Sequence, residues 1–196
     1  MYNLGVRSTN IVWNNENKFG GGSKASKDAG LTSLGRSLVE KLVECDIAID
    51  LSHANEKTFF DITDYLFYLK EKGKNIRVIA SHSNAKKLCD VPRNLTDDQL
   101  LTIKKLGGIV GVVGIKRFCK TGNIDEVTID DYLKHIEYIS NLFGGTEQIG
   151  VATDDMKYYP IDKEYYDRAN LFGIENAKEI LHNIESKRPY WMTKKL

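Results

Sequence analysis

Cysteine is scarce in this chain. Cys45, Cys89 and Cys119 make an odd number, and no two of them form a C-x-x-C pair. That composition argues against a disulfide framework and against a cysteine-built zinc site. A reducing, cytoplasmic setting is the expectation. No long apolar run is present either, so no segment reads as a membrane span. The first residues, MYNLGVRSTN, lack the charged start and apolar core of a signal peptide. Charge of one sign is not in excess: the net charge is +1. A chain so balanced has no basic field to draw in nucleic acid. No low-complexity tail and no clear linker interrupts it.

What is present is an ordinary globular composition, 41% hydrophobic and 28% charged over 196 residues, enough for one domain with a real core. Short apolar runs rich in Val and Ile alternate with helical periodicity. Strands are expected over Val6–Trp13, Ile47–Ser52, Ile76–Ser81, Ile109–Ile115 and Ile149–Thr153. Their apolar residues are mostly continuous rather than alternating, as in strands covered on both faces. Leu34, Leu38, Val39 and Leu42 mark one helix, and Phe59, Phe60, Ile62, Leu66 and Leu69 a second. Thr96-Asp97-Asp98-Gln99 is a capping box that opens a third, ending at Gly107-Gly108. Thr128 caps a fourth, which runs to Gly144-Gly145. Repeated βα units of this kind predict an α/β fold with a parallel sheet and outer helices. The polar, glycine-rich stretch NNENKFGGGSKASKDAG, Asn14 to Gly30, is expected to be a long loop after the first strand. The C-terminal ESKRPYWMTKKL is basic and expected to fray, with Trp191 available to pack back.

One local pattern occurs twice. DLSH and ASHS each set a Ser-His pair where an apolar strand ends, giving His53 and His82 about one strand-helix unit apart. In parallel α/β folds, sites form at the carboxyl ends of strands. Two neutral imidazoles at that rim are a natural metal-ligand pair. The plainer alternative for either ring is a polar plug that bonds a neighbouring loop, and the residues alone leave both readings open. Asp154 follows the last strand, where an aspartate is often a turn or cap residue. His135 lies mid-helix and His182 near the last helix, and both read as structural.

The wording around these residues is more specific than the pattern. GLTSLGRSLVEKLVECDIAIDLSHANEKTFFDI, VIASHSNAKKLCDVPRNLTDDQLLTIKKLGGIVGVV and HIEYISNLFGGTEQIGVATD resemble the membrane (renal) dipeptidase family, which includes many soluble bacterial enzymes. The resemblance runs from about Leu4 to Asp154. It implies a (β/α)8 barrel that hydrolyses dipeptides with two zinc ions bridged by a carboxylate and a hydroxide. It makes His53 and His82 ligands of one zinc. Arg93 becomes the contact to the substrate carboxylate, and Asp154 the residue that handles the proton.

Other parts of the family pattern are absent. The sequence contains no HxD motif, which would hold the other zinc; that motif and the bridging glutamate belong upstream of Leu4 in the family's order. Trp13 stands where the family has a histidine. Asp154-Asp155-Met156-Lys157 replaces the usual DFDG, and the closing region lacks the family's GN-x-LR ending. Five strands are found where a closed barrel has eight and about 250 residues. The expectation is therefore a single truncated dipeptidase barrel over residues 1–196, a partial (β/α)8 of about five strands. It would hold at most one zinc, act poorly alone on dipeptides, and assemble with itself or with a complementary N-terminal chain. No membrane or nucleic-acid partner is expected. Clear turnover by the isolated chain would make Asp50 or Asp155 the first candidate for a recruited carboxylate. The other expectation, from a different class, is a non-catalytic remnant or partner subunit that keeps the scaffold.

Overall fold

The computed structural model describes residues 1–154; Asp155, Met156, Lys157, His182 and Trp191 lie outside the described residues. Five strands form one parallel sheet in the order in which they occur: β1 (Ser8–Asn10), β2 (Ala48–Asp50), β3 (Val78–Ala80), β4 (Ile109–Val113) and β5 (Ile149–Ala152). Between them run α1 (Ser33–Glu44), α2 (Glu56–Glu71), α3 (Asp97–Leu106), a single turn α4 (Lys116–Cys119) and α5 (Ile129–Phe143). Each strand lies inside its sequence-derived range. The four long helices fall on the four periodic segments. The turn of α4, with only four residues, is too short to show a period.

Local chemistry sets the helix boundaries. The hydroxyl of Thr32 caps α1 by accepting the Gly35 N–H, and Asn55 caps α2 through the Thr58 N–H. The capping box opens α3: Gln99 N–H donates to Thr96 Oγ1, and Thr96 N–H donates to Gln99 Oε1. At Thr128 the Asp131 carboxylate accepts from both the backbone N–H and the hydroxyl. Gly107 and Gly144 end α3 and α5 at φ 81° and 69°, where a side chain would be strained.

The core lies between one face of the sheet and the helices. Ile49 on β2, Val78 and Ala80 on β3, and Val110 and Val112 on β4 pack against Val39, Phe59, Leu66, Leu100, Ile103 and Ile139. Along β3 the alternate residue, Ile79, is only half-buried, and Ile109 on β4 is exposed. Among the described residues β1 and β5 are the edges, so the sheet is open rather than closed on itself. This layout aims the carboxyl ends of β1, β2 and β3, with their following loops, at one rim.

The loop from Asn14 to Gly30 is built onto that rim. Gly21 N–H donates to Thr58 Oγ1, Lys24 N–H to the Asn14 carbonyl, and Asn55 N–H to the Gly21 carbonyl. Gly22 sits so close to β1's exit that a Cβ there would fall 1.9 Å from the Trp13 carbonyl.

Candidate functional site

The site begins at Asp50, the last residue of β2, which is 6% exposed. Its Oδ1 accepts the N–H groups of Ser52 and Ser81, each at 3.0 Å, and its Oδ2 accepts the Ser81 hydroxyl at 2.5 Å. One carboxylate thereby turns the chain out of two adjacent strands at the same level. Ser52 completes the tie: its hydroxyl accepts the His82 N–H at 3.0 Å and lies 3.2 Å from the Ser83 hydroxyl. The repeated strand-Ser-His pattern is thus one interlocked unit.

From this unit the two half-buried imidazoles converge. His53 Nε2 and His82 Nε2 are 2.9 Å apart, with the rings edge-on at a centroid distance of 4.9 Å. Each ring is also held at its other nitrogen. His53 Nδ1 lies 2.9 Å from Asn14 Oδ1, and His82 Nδ1 lies 2.6 Å from the Ser81 hydroxyl. An amide oxygen only accepts, so His53 donates from Nδ1; in the neutral ring the lone pair is then on Nε2. His53 holds a left-handed backbone at φ 76°, a conformation that costs about 1–2 kcal/mol in a residue with a Cβ. Strain of this sort gathers at functional positions. Trp13, half exposed, leans on His53 with ring centroids 5.9 Å apart.

Arg93 closes the other side. The rigid Val91-Pro92-Arg93 turn carries it, and its Nη2 donates to the His82 carbonyl at 3.2 Å. Its guanidinium lies 5.5 Å from the centre of the Phe118 ring. Burial pulls its pKa down to about 10, while Asp154 and Asp50 oppose that shift, so both carboxylates act on this cation. It remains a cation at neutral pH. Asp154 follows β5, is exposed, and takes the left-handed conformation at φ 48°. His53, His82 and Arg93 are therefore brought together, while Asp154 stands exposed after β5.

His135 takes the structural place expected of it. It is fully buried, with Nδ1 accepting the Ala85 N–H at 3.2 Å and Nε2 donating to the Cys119 carbonyl at 2.9 Å. The three cysteines are unbridged, and burial raises the Cys119 thiol to about 12.

The donor set can be tested against a zinc ion on geometry alone. Two imidazole nitrogens on a tetrahedral zinc stand about 3.3 Å apart, given bonds of about 2.0–2.1 Å. The observed 2.9 Å needs only a small opening. Both rings are braced at Nδ1, as ligating histidines are. The pair fits two of the four ligand positions. No group of three or more His, Cys, Asp or Glu side chains suited to a metal ion occurs among the described residues. Asp50, three residues before His53, is taken up by Ser52 and Ser81.

The fold and site define a class: an α/β protein of the barrel type, with its polar constellation at the carboxyl ends of parallel strands. A model of the membrane dipeptidase family, peptidase family M19, matches residues 1–161. The chain belongs to that family. It is 37% identical over 161 residues to an uncharacterised protein from the pqqA 5' region of Klebsiella pneumoniae, covering 78% of this chain and 56% of that protein. A metallo peptidase from Rhodobacter sphaeroides, solved with a phosphinate mimic of the dipeptide L-Ala-D-Ala, matches at a TM-score of 0.65 and 31% identity, over 78% of this chain and 43% of its own. An amidohydrolase from Pseudomonas aeruginosa matches at a TM-score of 0.68 and 30% identity, over 84% of this chain and 46% of its own. The chain thus spans about half the length of the relatives it matches.

Sequence reasoning singled out His53, His82, Arg93 and Asp154, and the first three lie beside one another at the rim. It did not find what Asn14 and Ser81 do, nor that Asp50 braces the site from within. Asn14 meets a ring 39 residues on and Asp50 a serine 31 residues on, and no spacing rule connects such positions.

Proposed function

We propose that this chain carries one metal-binding half of a dipeptidase site, with His53 and His82 as two ligands of a single zinc ion. The observation that carries the reading is the 2.9 Å approach of two Nε2 atoms from adjacent strands, each ring braced at Nδ1. When bound, zinc supplies Lewis-acid polarisation of the scissile carbonyl and a water activated near neutral pH. The chain's own residues do the rest. Arg93 offers a planar fork to the carboxylate of a dipeptide at the rim above His82. Asp154 accepts a proton on the solvent side and returns it to the leaving amine. Trp13 shields His53 from water on its outer face.

A second reading is favoured by one observation: two imidazoles alone are a weak zinc site, and the described residues offer no third ligand beside them. On that reading the chain is a non-catalytic remnant or a partner subunit that keeps the scaffold and little of the chemistry.

Calorimetric titration with zinc separates these readings from a purely structural pair. The full chain is expected to take up zinc, and His82→Ala to lose that uptake. Equal uptake by both proteins would end the metal proposal. Dipeptide hydrolysis by the same zinc-loaded sample, clearly above a His82→Ala control, would decide against the non-catalytic reading.

A further inference from the structure

The two strand-Ser-His segments are not equivalent, and the difference lies in how each ring is held. The amide of Asn14 touches His53 directly. His82 is held at one remove, because the Ser81 hydroxyl stands between its Nδ1, at 2.6 Å, and Asp50 Oδ2, at 2.5 Å. A hydroxyl has one proton to give, and an ionised carboxylate can only accept. Asp50 accepts that O–H as a hydrogen bond. Ser81 then meets His82 with lone pairs alone, and the imidazole must bring its own proton on Nδ1. The Nε2 lone pair is left aimed at His53 Nε2, 2.9 Å away. Two lone pairs facing each other at that distance repel one another and attract a cation.

We propose that Asp50, acting through Ser81, is a positioning residue that fixes the tautomer of His82 and thereby decides whether the ring can act as a ligand. The consequence for metal binding rests on the zinc reading above; the tautomer itself does not. The device works by proton bookkeeping rather than by shape, so a change that keeps shape and alters only the donor pattern should switch it. Asp50→Asn is that change. The amide oxygen can still accept the Ser52 and Ser81 N–H groups. The amide nitrogen then faces the Ser81 hydroxyl as a donor, and the serine turns its own O–H to donate a hydrogen bond to His82 Nδ1, which must accept. The ring must now carry its hydrogen on Nε2, pointing at the lone pair of His53. A ring-to-ring hydrogen bond replaces the repulsion, and the lone pair a cation needs is gone. An amide in place of an orienting carboxylate produces the wrong imidazole tautomer by the same logic in hydrolytic triads.

The test uses the full 196-residue chain, metal-free, with 15N-labelled histidine. Ring nitrogen correlations are recorded at about pH 8.5, where an imidazole of ordinary pKa is neutral. His82 is expected as the Nδ1–H tautomer in the wild type and as Nε2–H in Asp50→Asn. Zinc titration of the same proteins should show affinity lower by about 10- to 100-fold in the variant, the usual scale for a lost supporting contact. Thermal unfolding should move little, because a hydrogen bond is gained between the rings. Ser81→Ala removes the relay, and on that background Asp50→Asn should no longer change the tautomer. An Nε2–H ring in the wild type, or an unchanged tautomer in Asp50→Asn, overturns the inference even if zinc binds. So does a loss of affinity matched by a loss of folding with no tautomer change. A tautomer that switches in a protein that takes up no zinc upholds the inference and ends the metal reading instead.

Discussion

His135 and Arg93 show how much can depend on one side chain. His135 uses both ring nitrogens in the core, and its accepting Nδ1 requires the neutral ring. Burial holds its pKa below the ordinary value, with the Cys119 carbonyl bond and nearby Asp131 opposing that shift. The unfolded chain therefore binds the proton more readily. Stability from this residue is present above about pH 6.5 and is lost as pH falls through the lower, folded value, at no more than about 1.4 kcal/mol per pH unit. His135→Asn should remove that part of the acid sensitivity. In urea unfolding, the stability gap between wild type and variant should narrow from about pH 7.5 to pH 5; a constant gap would mean that His135 does not titrate on unfolding. For Arg93 the dipeptidase reading gives a different expectation. Arg93→Lys keeps the charge but loses the planar fork, so an active assembly should lose roughly 1.5–3 kcal/mol of selectivity, about one to two decades in kcat/KM, for free dipeptides. Substrates with an amidated carboxylate should change little; equal losses on both would make Arg93 a brace for the His82 carbonyl and nothing more. His53 and His82 were legible because an ionisable ring at the end of an apolar strand is conspicuous. Asn14 was not, because nothing in NNENKFGGG distinguishes the asparagine that meets a ring 39 positions on.

Among the elements, the helices were the most legible part, since capping residues and 3.6-residue periods are local. The expected Thr96–Gln99 box is there with both bonds made. Thr96→Ala should cost about 1 kcal/mol and lower the melting temperature by about 2–4 °C, read by circular dichroism. The strands came out shorter than their apolar runs. Apolarity continues into Leu51, but the Asp50 carboxylate pulls Ser52 and Ser81 out of the ladder, and side-chain capture of backbone is invisible to hydropathy. The loop from Asn14 to Gly30 was expected from its composition; its docking against α2 was not. Gly22 is the position to probe, because a Cβ there collides with the Trp13 carbonyl. Gly22→Ala should push the loop off the rim, free Asn14 from His53, and weaken zinc uptake more than it lowers the melting temperature. Unchanged uptake would show that Asn14 does not need the loop's native path.

At the scale of the whole molecule the described sheet is open, with two imidazoles at its rim and no third metal-competent side chain grouped with them. Zinc bound to the isolated chain should reach no more than one ion per chain, and dipeptide turnover should be slight. A stoichiometry of two, measured by metal analysis after gel filtration, would mean that further ligands come from outside the described residues or from a second copy. The linear strand order has a consequence for how the protein is made. Among the described residues, every strand from β2 onward pairs with the one before it in the chain. A ribosome releasing this sequence therefore delivers each described strand from β2 onward to an edge that already exists. The imidazole pair belongs to β2 and β3, so its scaffold can form while the later βα units are still being translated.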